Sequence, residues 1–375
     1  MQPYPIGAPK WRRPSTPDIR HDVLILPYFR AWIGGPDHDA IPEHGRIMRH
    51  GKVHDRFPND LPPVLPSRLK GSYLYGGPLK VHFGHVIVDS IIRLWAFDRE
   101  RHKGVVFAFF PRPTDTVPNW FFDIVSLFGV ERDDVYIVRE PTVVENLEFF
   151  EPGSRLGTAP HPWYLHYLEG LPIVKIHNTP KDIYFGRTHI LHRGGMLGER
   201  YFGQLLEESG FQYVKPELHD IHTQVSMIEN ADRIVFAEGS SIYSAELLAR
   251  TNARVFMIPR RKIGERVFAP TLRPRGSFAV LGNPESLVGE ANRHGLIRAN
   301  GPSYTTDPEA LHTDMRRHDL IEDRPFSNSA FKDAEQIDFW NYYKSRNRIY
   351  AALNAGRLSA LLPIFWKRIQ RRKAN

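Results

Sequence analysis

The sequence predicts an α/β protein of two domains, each built on a parallel sheet, followed by a basic helical tail at the C-terminus. Its 375 residues exceed one ordinary domain, and the 41% that are hydrophobic can form a large core. Short apolar runs that suit buried strands alternate with segments of helical periodicity. Such alternation is typical of parallel sheets covered by helices.

The N-terminal half, residues 1–175, is predicted to form the first domain after an irregular lead-in over residues 1–70. Pro111 is expected to end a buried strand and Gly129 to close a short helix. The predicted elements are, in order, a strand over 22–28, a helix after Phe83, a strand over 104–110, a helix over 120–127 and a strand over 134–138. This order of strand, helix and strand indicates a parallel sheet.

The second domain is predicted over residues 176–295, after a proline- and aromatic-rich connection. Its predicted strands and helices alternate without a break, which indicates a Rossmann-like domain. Its elements are a strand within 183–191, a helix over 199–209, a strand over 211–214, a helix over 223–230, a strand over 233–237, a helix over 241–250 and a strand over 254–258. Residues 296–375 are expected to form a polar segment, a helix from Ala334 and the basic tail.

Composition excludes several classes of site. The chain has no cysteine, so disulfides, thiolate zinc sites and cysteine nucleophiles are excluded. The N-terminus lacks the apolar core of a signal peptide, and no apolar run reaches the roughly 18 residues that span a bilayer. We therefore expect a cytoplasmic protein, or one attached peripherally to the inner face of a membrane.

The net charge of +8 is concentrated at the C-terminus. From Lys344 onward there are nine basic residues and no acidic one, which leaves −1 for the rest of the chain. A nearly neutral body argues against nucleic acid as a partner. Residues 358–373 join an apolar cluster to a basic end, and two interpretations stay open: an interfacial helix on anionic lipid, or a basic terminus that is solvated or docked on the protein.

Residues 73–95 combine glycines, histidines and an aspartate with an apolar pattern of helical spacing. On a helix after Phe83, the side chains of His85, Asp89 and Arg93 fall at i, i+4 and i+8 and share one face. A lone histidine there is more simply a capping residue. Because polar groups that face a core are costly unless used or paired, the combination predicts one wall of an active site.

Two glycine-containing turns are candidate anion sites. After the strand over 233–237, Glu238 is followed by Gly239, Ser240 and Ser241, where a helix begins and offers free backbone N–H groups. A second turn, after the strand within 183–191, joins Arg193 to Gly194 and Gly195 and suits a diphosphate. The simpler alternatives are an ordinary helix cap and a surface arginine beside a turn.

One further motif receives no role. Asp37-His38-Asp39 matches the Asp-x-Asp pattern that holds a metal and a nucleotide diphosphate in some sugar transferases. About one such match is expected by chance in a chain of this length. It also lies before the α/β pattern begins, so we predict no metal site.

Together these motifs resemble those of glycosyltransferase family 61. In the first half the resemblance rests on Tyr75-Gly76-Gly77-Pro78-Leu79, His82-Phe83-Gly84-His85, Asp89 and Arg93-Leu94-Trp95. In the second half it rests on Arg193, residues 208–211, Pro216-Glu217, Gln224, Ala231-Asp232 and Glu238-Gly239-Ser240. Many members have His-Gly-Ala at this last motif, so the role of Glu238 departs from the family pattern.

The resemblance implies a GT-B architecture, in which two Rossmann-like domains face each other across a cleft. It also implies inverting transfer of a sugar from a nucleotide-sugar to a glycan or lipid-linked acceptor in polysaccharide biosynthesis, without a metal or a further cofactor. Gly76, Gly77, His82 and Arg93 would then lie on the acceptor side of the cleft. Arg193, Gly194 and residues 239–241 would bind the donor diphosphate, and Glu238 a ribose or sugar hydroxyl.

The expected base is Asp89, with His85 as its partner or substitute, because an aspartate is already ionised near neutral pH. Two alternatives stay open. A non-catalytic nucleotide- or carbohydrate-binding component of a polysaccharide assembly complex would keep the anion site and lose the base. A phosphotransferase would use the same anion site, although the chain has no P-loop.

Overall fold

The computed structural model describes residues 16–27, 32–34, 66–109, 116–290, 295–298 and 300–346. These residues form a six-stranded sheet, a five-stranded sheet and a small two-stranded sheet, with helices between the strands. The predicted α/β class is confirmed. The Asp37-His38-Asp39 motif and the tail over 358–373 lie outside the described residues.

The first sheet has a parallel centre and an antiparallel edge. Its strands are β1 (Asp18–Leu26), β2 (Trp32–Gly34), β3 (Ser67–Leu79), β4 (Val105–Phe109), β5 (Val135–Val138) and β6 (Thr142–Phe149). The spatial order is β2-β1-β6-β3-β4-β5. Strands β6, β3, β4 and β5 are parallel, while β1 is antiparallel to both of its neighbours. The order reverses at β3, so the chain after its carboxyl end enters a crevice.

The helix predicted after Phe83 is present but irregular. It consists of a short α turn, α1 (Phe83–His85), a π turn over Val86–Ser90 and a 3₁₀ segment over Ile91–Ala96. The predicted core positions are nevertheless buried. Two further helices of this half are α2 (Asn119–Ser126) and α3 (Pro162–Leu168). The helix type changes along this stretch because neighbouring segments pack closely against it on both sides.

The second sheet is entirely parallel. Its strands are β7 (Asp182–Phe185), β8 (Gln212–Val214), β9 (Arg233–Ala237), β10 (Arg254–Ile258) and β11 (Phe278–Val280). The order is β11-β10-β9-β7-β8, a doubly wound pattern with its switch point between β7 and β9. The helices are α4 (Glu199–Glu208), α5 (Ile221–Asn230) and α6 (Gly264–Leu272).

Two predicted elements of this sheet differ from the structure. The strand within 183–191 ends at Phe185 and is followed by a 3₁₀ segment, Thr188–Arg193. The helix over 241–250 is a 3₁₀ helix, Ser240–Leu247, that contacts both halves of the protein. A 3₁₀ helix is narrower than an α-helix, which suits a segment packed between several neighbours.

The polar segment after residue 295 packs on the second sheet. It contains β13 (Ser303–Thr305), paired with β12 (Leu287–Gly289), and the helices α7 (Pro308–Arg317) and α8 (Asn328–Arg346). Leu311, Met315 and Phe331 join a core cluster that includes Phe202 and Phe256. Sequence reasoning missed α7 and began α8 six residues late, because both helices are largely polar.

The two halves share one apolar core. Side chains of both sheets belong to one cluster, in which α2 contacts α5. The α1 and π turns contact the 3₁₀ helix after β9. At Gly84, a Cβ atom would lie 2.6 Å from the Tyr243 ring. The segment after β3 therefore sits directly on the segment after β9.

This close contact gives a stability prediction. Gly84→Ala should lower the free energy of unfolding by about 1–3 kcal/mol, because the added methyl group overpacks a tight interface. Urea denaturation measures this loss. Gly170→Ala is the matched control, since its nearest neighbour would be an ordinary 3.6 Å contact, and it should change stability by less than about 0.5 kcal/mol. Equal midpoints for Gly84→Ala and the wild type would contradict the packing described here.

Candidate active site

The switch point of the second sheet gathers the polar groups of the site. Strand β7 ends at Phe185, and Arg187 follows two residues later. Strand β9 ends at Ala237, and Glu238 and Gly239 follow directly. The chain leaves these two strands toward opposite faces of the sheet, which opens a crevice where doubly wound proteins bind ligands.

Arg187 connects the two glycine turns. Its guanidinium donates to the Gly194 carbonyl through Nε at 3.2 Å and Nη2 at 3.0 Å, and to the Arg193 carbonyl at 3.4 Å. Its Nη1 occupies the space that a Cβ atom at Gly239 would take. Burial lowers the pKa of Arg187, which is only 9% exposed. The two turns predicted separately as anion sites are therefore joined by one cation.

Sequence reasoning missed Arg187. The available signal was its position, two residues beyond a buried strand at the predicted carboxyl edge of a sheet. The strand was predicted only as lying within residues 183–191 and leading into the turn at Arg193, so its end at Phe185 and the position of Arg187 beyond it were not recognised.

Glu238 is fully buried and its carboxylate is engaged by the protein. It accepts hydrogen bonds from the backbone N–H groups of Arg260 at 2.8 Å and Arg261 at 3.0 Å, and from the Arg261 side chain. Its backbone carbonyl accepts from Arg260 Nε at 2.9 Å. The carboxylate thus holds two arginines at the edge of the sheet, an arrangement that the sequence did not suggest.

Positive charge exceeds negative charge in this region. Arg187, Arg260 and Arg261 surround Glu238, and burial lowers the pKa of Arg260 to about 10, which leaves it charged at neutral pH. Glu199 is the second buried carboxylate nearby and accepts from the Tyr184 hydroxyl at 2.7 Å and from the Arg187 N–H. The Arg193 side chain adds a further exposed cation. This surplus favours an anionic ligand.

We call Arg187, Arg260 and Arg261 the arginine cluster. The other predicted donor residues lie beside it. Gly194 contributes its carbonyl to Arg187, as described above. The backbone of Gly239 is extended, and Ser240 and Ser241 begin the 3₁₀ helix. Gly239 is the N-cap residue, so no side chain at that position caps the helix. Backbone N–H groups at the start of this helix therefore adjoin the guanidinium of Arg187.

The first sheet contributes a histidine–aspartate pair. His85 Nδ1 and Asp89 Oδ2 are 2.8 Å apart, and the side chains are 18% and 20% exposed. If Nδ1 donates its proton to the carboxylate, Nε2 is the basic nitrogen of the ring. The π turn between the two residues brings them together, and such turns are frequent at functional sites.

His82 lies between this pair and the arginine cluster. Its ring is 5.0 Å from that of His85 and remains partly exposed. Desolvation lowers its pKa to about 4, with smaller contributions from His85 and from the positive charges of Lys80, Arg193 and Arg187. The two walls lie close together here, since Gly84 packs against Tyr243 and Ser240 of the second half.

Arg93 does not share an exposed face with His85 and Asp89. The π and 3₁₀ turns rotate it inward, where it is 6% exposed and its guanidinium lies 5.9 Å from the Tyr75 ring centre. Burial lowers the pKa of Arg93 to about 10. Its Nε and the Tyr75 hydroxyl make no hydrogen bond within the described part of the chain.

Gly76 and Gly77 serve packing in this structure. A Cβ atom at Gly76 would overlap the Phe107 ring. Gly77 has φ +121°, and a Cβ atom there would lie 2.6 Å from the Asp89 carbonyl oxygen. Both glycines let β3 approach its neighbours, and Gly77 in particular brings the strand against the turn that carries Asp89.

Among the described residues, no three histidine or acidic side chains are placed to hold a metal ion. None of the helices described is both long and apolar enough to cross a membrane. Models of known protein families do not match the chain, and a search of curated proteins finds no relative.

The lowered pKa of His82 predicts a pH effect on stability. Between about pH 4 and 6.5 the unfolded chain binds a proton at His82 that the folded chain does not, so stability falls as the pH drops through this window. His82→Gln should remove part of that fall. Melting temperatures at pH 7 and pH 5 measure it, with His177→Gln, an exposed histidine of the connection, as control. The assignment fails if the two variants lose the same number of degrees as the wild type.

Proposed function

We propose that the protein is an inverting glycosyltransferase of GT-B architecture, which moves a sugar from a nucleotide-sugar to a hydroxyl of a glycan or lipid-linked acceptor. One observation carries the proposal: the turns that hold His85 and Asp89 pack against the 3₁₀ helix after β9, and the residue before that helix, Gly239, lies against Arg187. The motifs that resemble glycosyltransferase family 61 supply His85 and Asp89, and they supply Arg193, Glu238 and Gly239 beside the arginine cluster. Polysaccharide biosynthesis is the setting that this resemblance favours.

The arginine cluster is the proposed diphosphate site. Guanidinium groups suit phosphate oxygens because their N–H donors form a planar fork. Arg187 is held in place by the carbonyl groups of residues 193 and 194, and Arg260 and Arg261 by Glu238. We assign Glu238 the role of positioning these arginines, instead of the hydroxyl contact expected from sequence. Cations fixed in this way stabilise the charge that develops on a leaving diphosphate.

His85 is the proposed base. As the acceptor oxygen forms a bond to the anomeric carbon, His85 Nε2 takes the hydroxyl proton. The bond from that carbon to the diphosphate oxygen breaks, and its electron pair leaves with the nucleoside diphosphate. Asp89 orients the ring and stabilises the imidazolium. The sequence favoured Asp89 as the base, whereas the 2.8 Å contact to Nδ1 supports an orienting role for the carboxylate.

The proposed diphosphate site predicts the effect of removing one arginine. Arg187→Gln should weaken the binding of nucleoside diphosphates by roughly tenfold to hundredfold, because charge-assisted hydrogen bonds are lost. Isothermal titration calorimetry with a panel of nucleoside diphosphates measures the change. Arg193→Gln should act in the same direction, and its exposed side chain makes a folding defect improbable.

Arg250→Gln is the matched control, since its side chain is 81% exposed and paired with Glu169. It should bind as the wild type does. If both Arg187→Gln and Arg193→Gln retain the wild-type dissociation constants, the diphosphate site lies elsewhere.

The proposed base predicts a separate pattern. His85→Gln should lower the turnover number by roughly 10²–10⁴-fold while the affinity for the nucleoside diphosphate stays near that of the wild type. Asp89→Asn should also lower turnover, because the amide no longer selects the same ring tautomer. Nucleotide-sugar hydrolysis without acceptor, followed by transfer assays on a panel of acceptors, provides the rates.

Wild-type turnover in Asp89→Asn would overturn the assignment of the pair. A wild-type protein that binds nucleoside diphosphates but neither hydrolyses nor transfers any donor would favour the alternative function, a non-catalytic binding component of a polysaccharide assembly complex.

A further inference from the structure

Helix α8 has one buried side and one apolar side that faces outward. Phe331, Ala334 and Asp338 are buried against the second domain. Around the opposite side, Ile337 is 49% exposed and Trp340 is 48% exposed. At 100° per residue, Trp340 points almost directly away from the buried side. Exposed side chains of this size, clustered on one helix, are typical of a binding surface.

Three of the exposed residues have neighbouring aromatic rings, and Ile337 lies one turn before Trp340 on the outward side of the helix. The rings of Phe339 and Trp340 are 5.7 Å apart, and those of Trp340 and Tyr343 are 5.9 Å apart. Phe339 and Tyr343 are 47% and 46% exposed. We call Ile337, Phe339, Trp340 and Tyr343 the aromatic face of α8.

The charge at the C-terminal end of this face is positive, whereas Asp333, exposed one turn before Ile337, places a negative charge at the other end. Asp338 is the last acidic residue of the chain, and its side chain is buried. Lys344 and Arg346 follow on exposed positions of the helix, and the sequence beyond residue 346 adds seven more basic residues. A partner of matching chemistry has an apolar part for the rings and negative charge for the basic residues.

We propose that the aromatic face of α8 binds the surface of a bilayer that contains anionic lipid. Tryptophan and tyrosine favour the headgroup level of membranes, where a ring is partly in apolar and partly in polar surroundings. Lysine and arginine beside them gain from the negative surface potential. An isoleucine at the edge of the face and the apolar cluster within residues 358–366 favour lipid over nucleic acid. This binding activity goes beyond sugar transfer and does not depend on it.

Helix α8 is hydrogen-bonded to the start of α4, next to the candidate active site. The Asp338 carboxylate accepts hydrogen bonds from the backbone N–H groups of Gly198 at 3.1 Å and Arg200 at 3.3 Å, where α4 begins. The helix also packs on Thr188–Arg193, and Arg346 is close enough to contribute to the lowered pKa of His192, after burial and Arg193. A bilayer bound to α8 would therefore lie near the loop that carries Arg193.

Vesicle flotation of the full chain tests the proposal. The probes are vesicles of phosphatidylcholine alone and vesicles in which about a third of the lipid is phosphatidylserine. The phosphatidylserine gives the second kind a negative surface potential. The wild type should float with the anionic vesicles and much less with the neutral ones. Ile337→Ser combined with Trp340→Ser should weaken binding to anionic vesicles by at least about tenfold.

Asn341→Ser is the matched control, because it changes an exposed polar residue of the same helix and should bind as the wild type does. Equal melting temperatures of the double variant and the wild type establish that the fold is intact, as expected for half-exposed side chains. A chain that ends at Arg346 should bind more weakly than the full chain but remain sensitive to the double substitution.

Three outcomes would overturn the proposal. The first is unchanged flotation of the double variant. The second is a wild type that does not bind vesicles but binds a short DNA duplex or RNA strand, with this nucleic-acid binding lost in the double variant. The third is a wild-type dimer in sedimentation velocity that the double variant converts to a monomer, again without vesicle binding, since the aromatic face would then join two copies of the chain.

Discussion

The arrangement at the second sheet depends on pairing the charges buried at its carboxyl edge. Arg187, Glu199, Glu238 and Arg260 are each at least about nine-tenths buried. Isolated charges in such a position are costly, so each must be met by an opposite charge or by hydrogen bonds. The backbone supplies many of these bonds, which fixes the loops after β7, β9 and β10 relative to one another. The shape of the crevice therefore follows from the hydrogen bonds and ion pairs that these buried charges require.

This requirement also explains the glycines around the crevice. A guanidinium lies against Gly239 where any side chain would collide with it, and the Glu238 carboxylate similarly lies against Gly264. On the opposite wall, Gly77 brings β3 against the backbone of Asp89. Glycine is used at these places so that a charged group or a backbone can approach closely, which is the same property that suits a loop to a phosphate. The motif glycines therefore have a structural explanation that does not exclude their proposed role in binding.

Sequence patterns predicted the sheets better than the site. Strand β9 was predicted with its observed ends, and β10 likewise, because both are short apolar runs buried on two sides. The residues after Phe83, as far as Trp95, were predicted as a helix, since periodicity records burial and not the hydrogen-bonding pattern of each turn. The change to π and 3₁₀ winding follows from contacts with Gly77 and the 3₁₀ helix after β9, which no local pattern reveals. Arg93 was consequently placed in the crevice, although it is buried behind it.

Local sequence patterns also revealed the two anion motifs but not Arg187, the residue that contacts both. Arg193 and Gly239 stand in recognisable glycine-containing turns, whereas Arg187 has no motif of its own and acts through its position. Its guanidinium is useful because β7 and β9 are neighbours in space while α4 and α5 separate them in sequence. Helix α8 adds a third remote contribution, since Asp338 fixes the start of α4, whose Glu199 accepts a hydrogen bond from the Arg187 backbone. One set of polar contacts thus runs from the buried side of α8 through the start of α4 to Arg187, so a surface bound to the opposite, aromatic face would hold the proposed diphosphate site at a defined orientation.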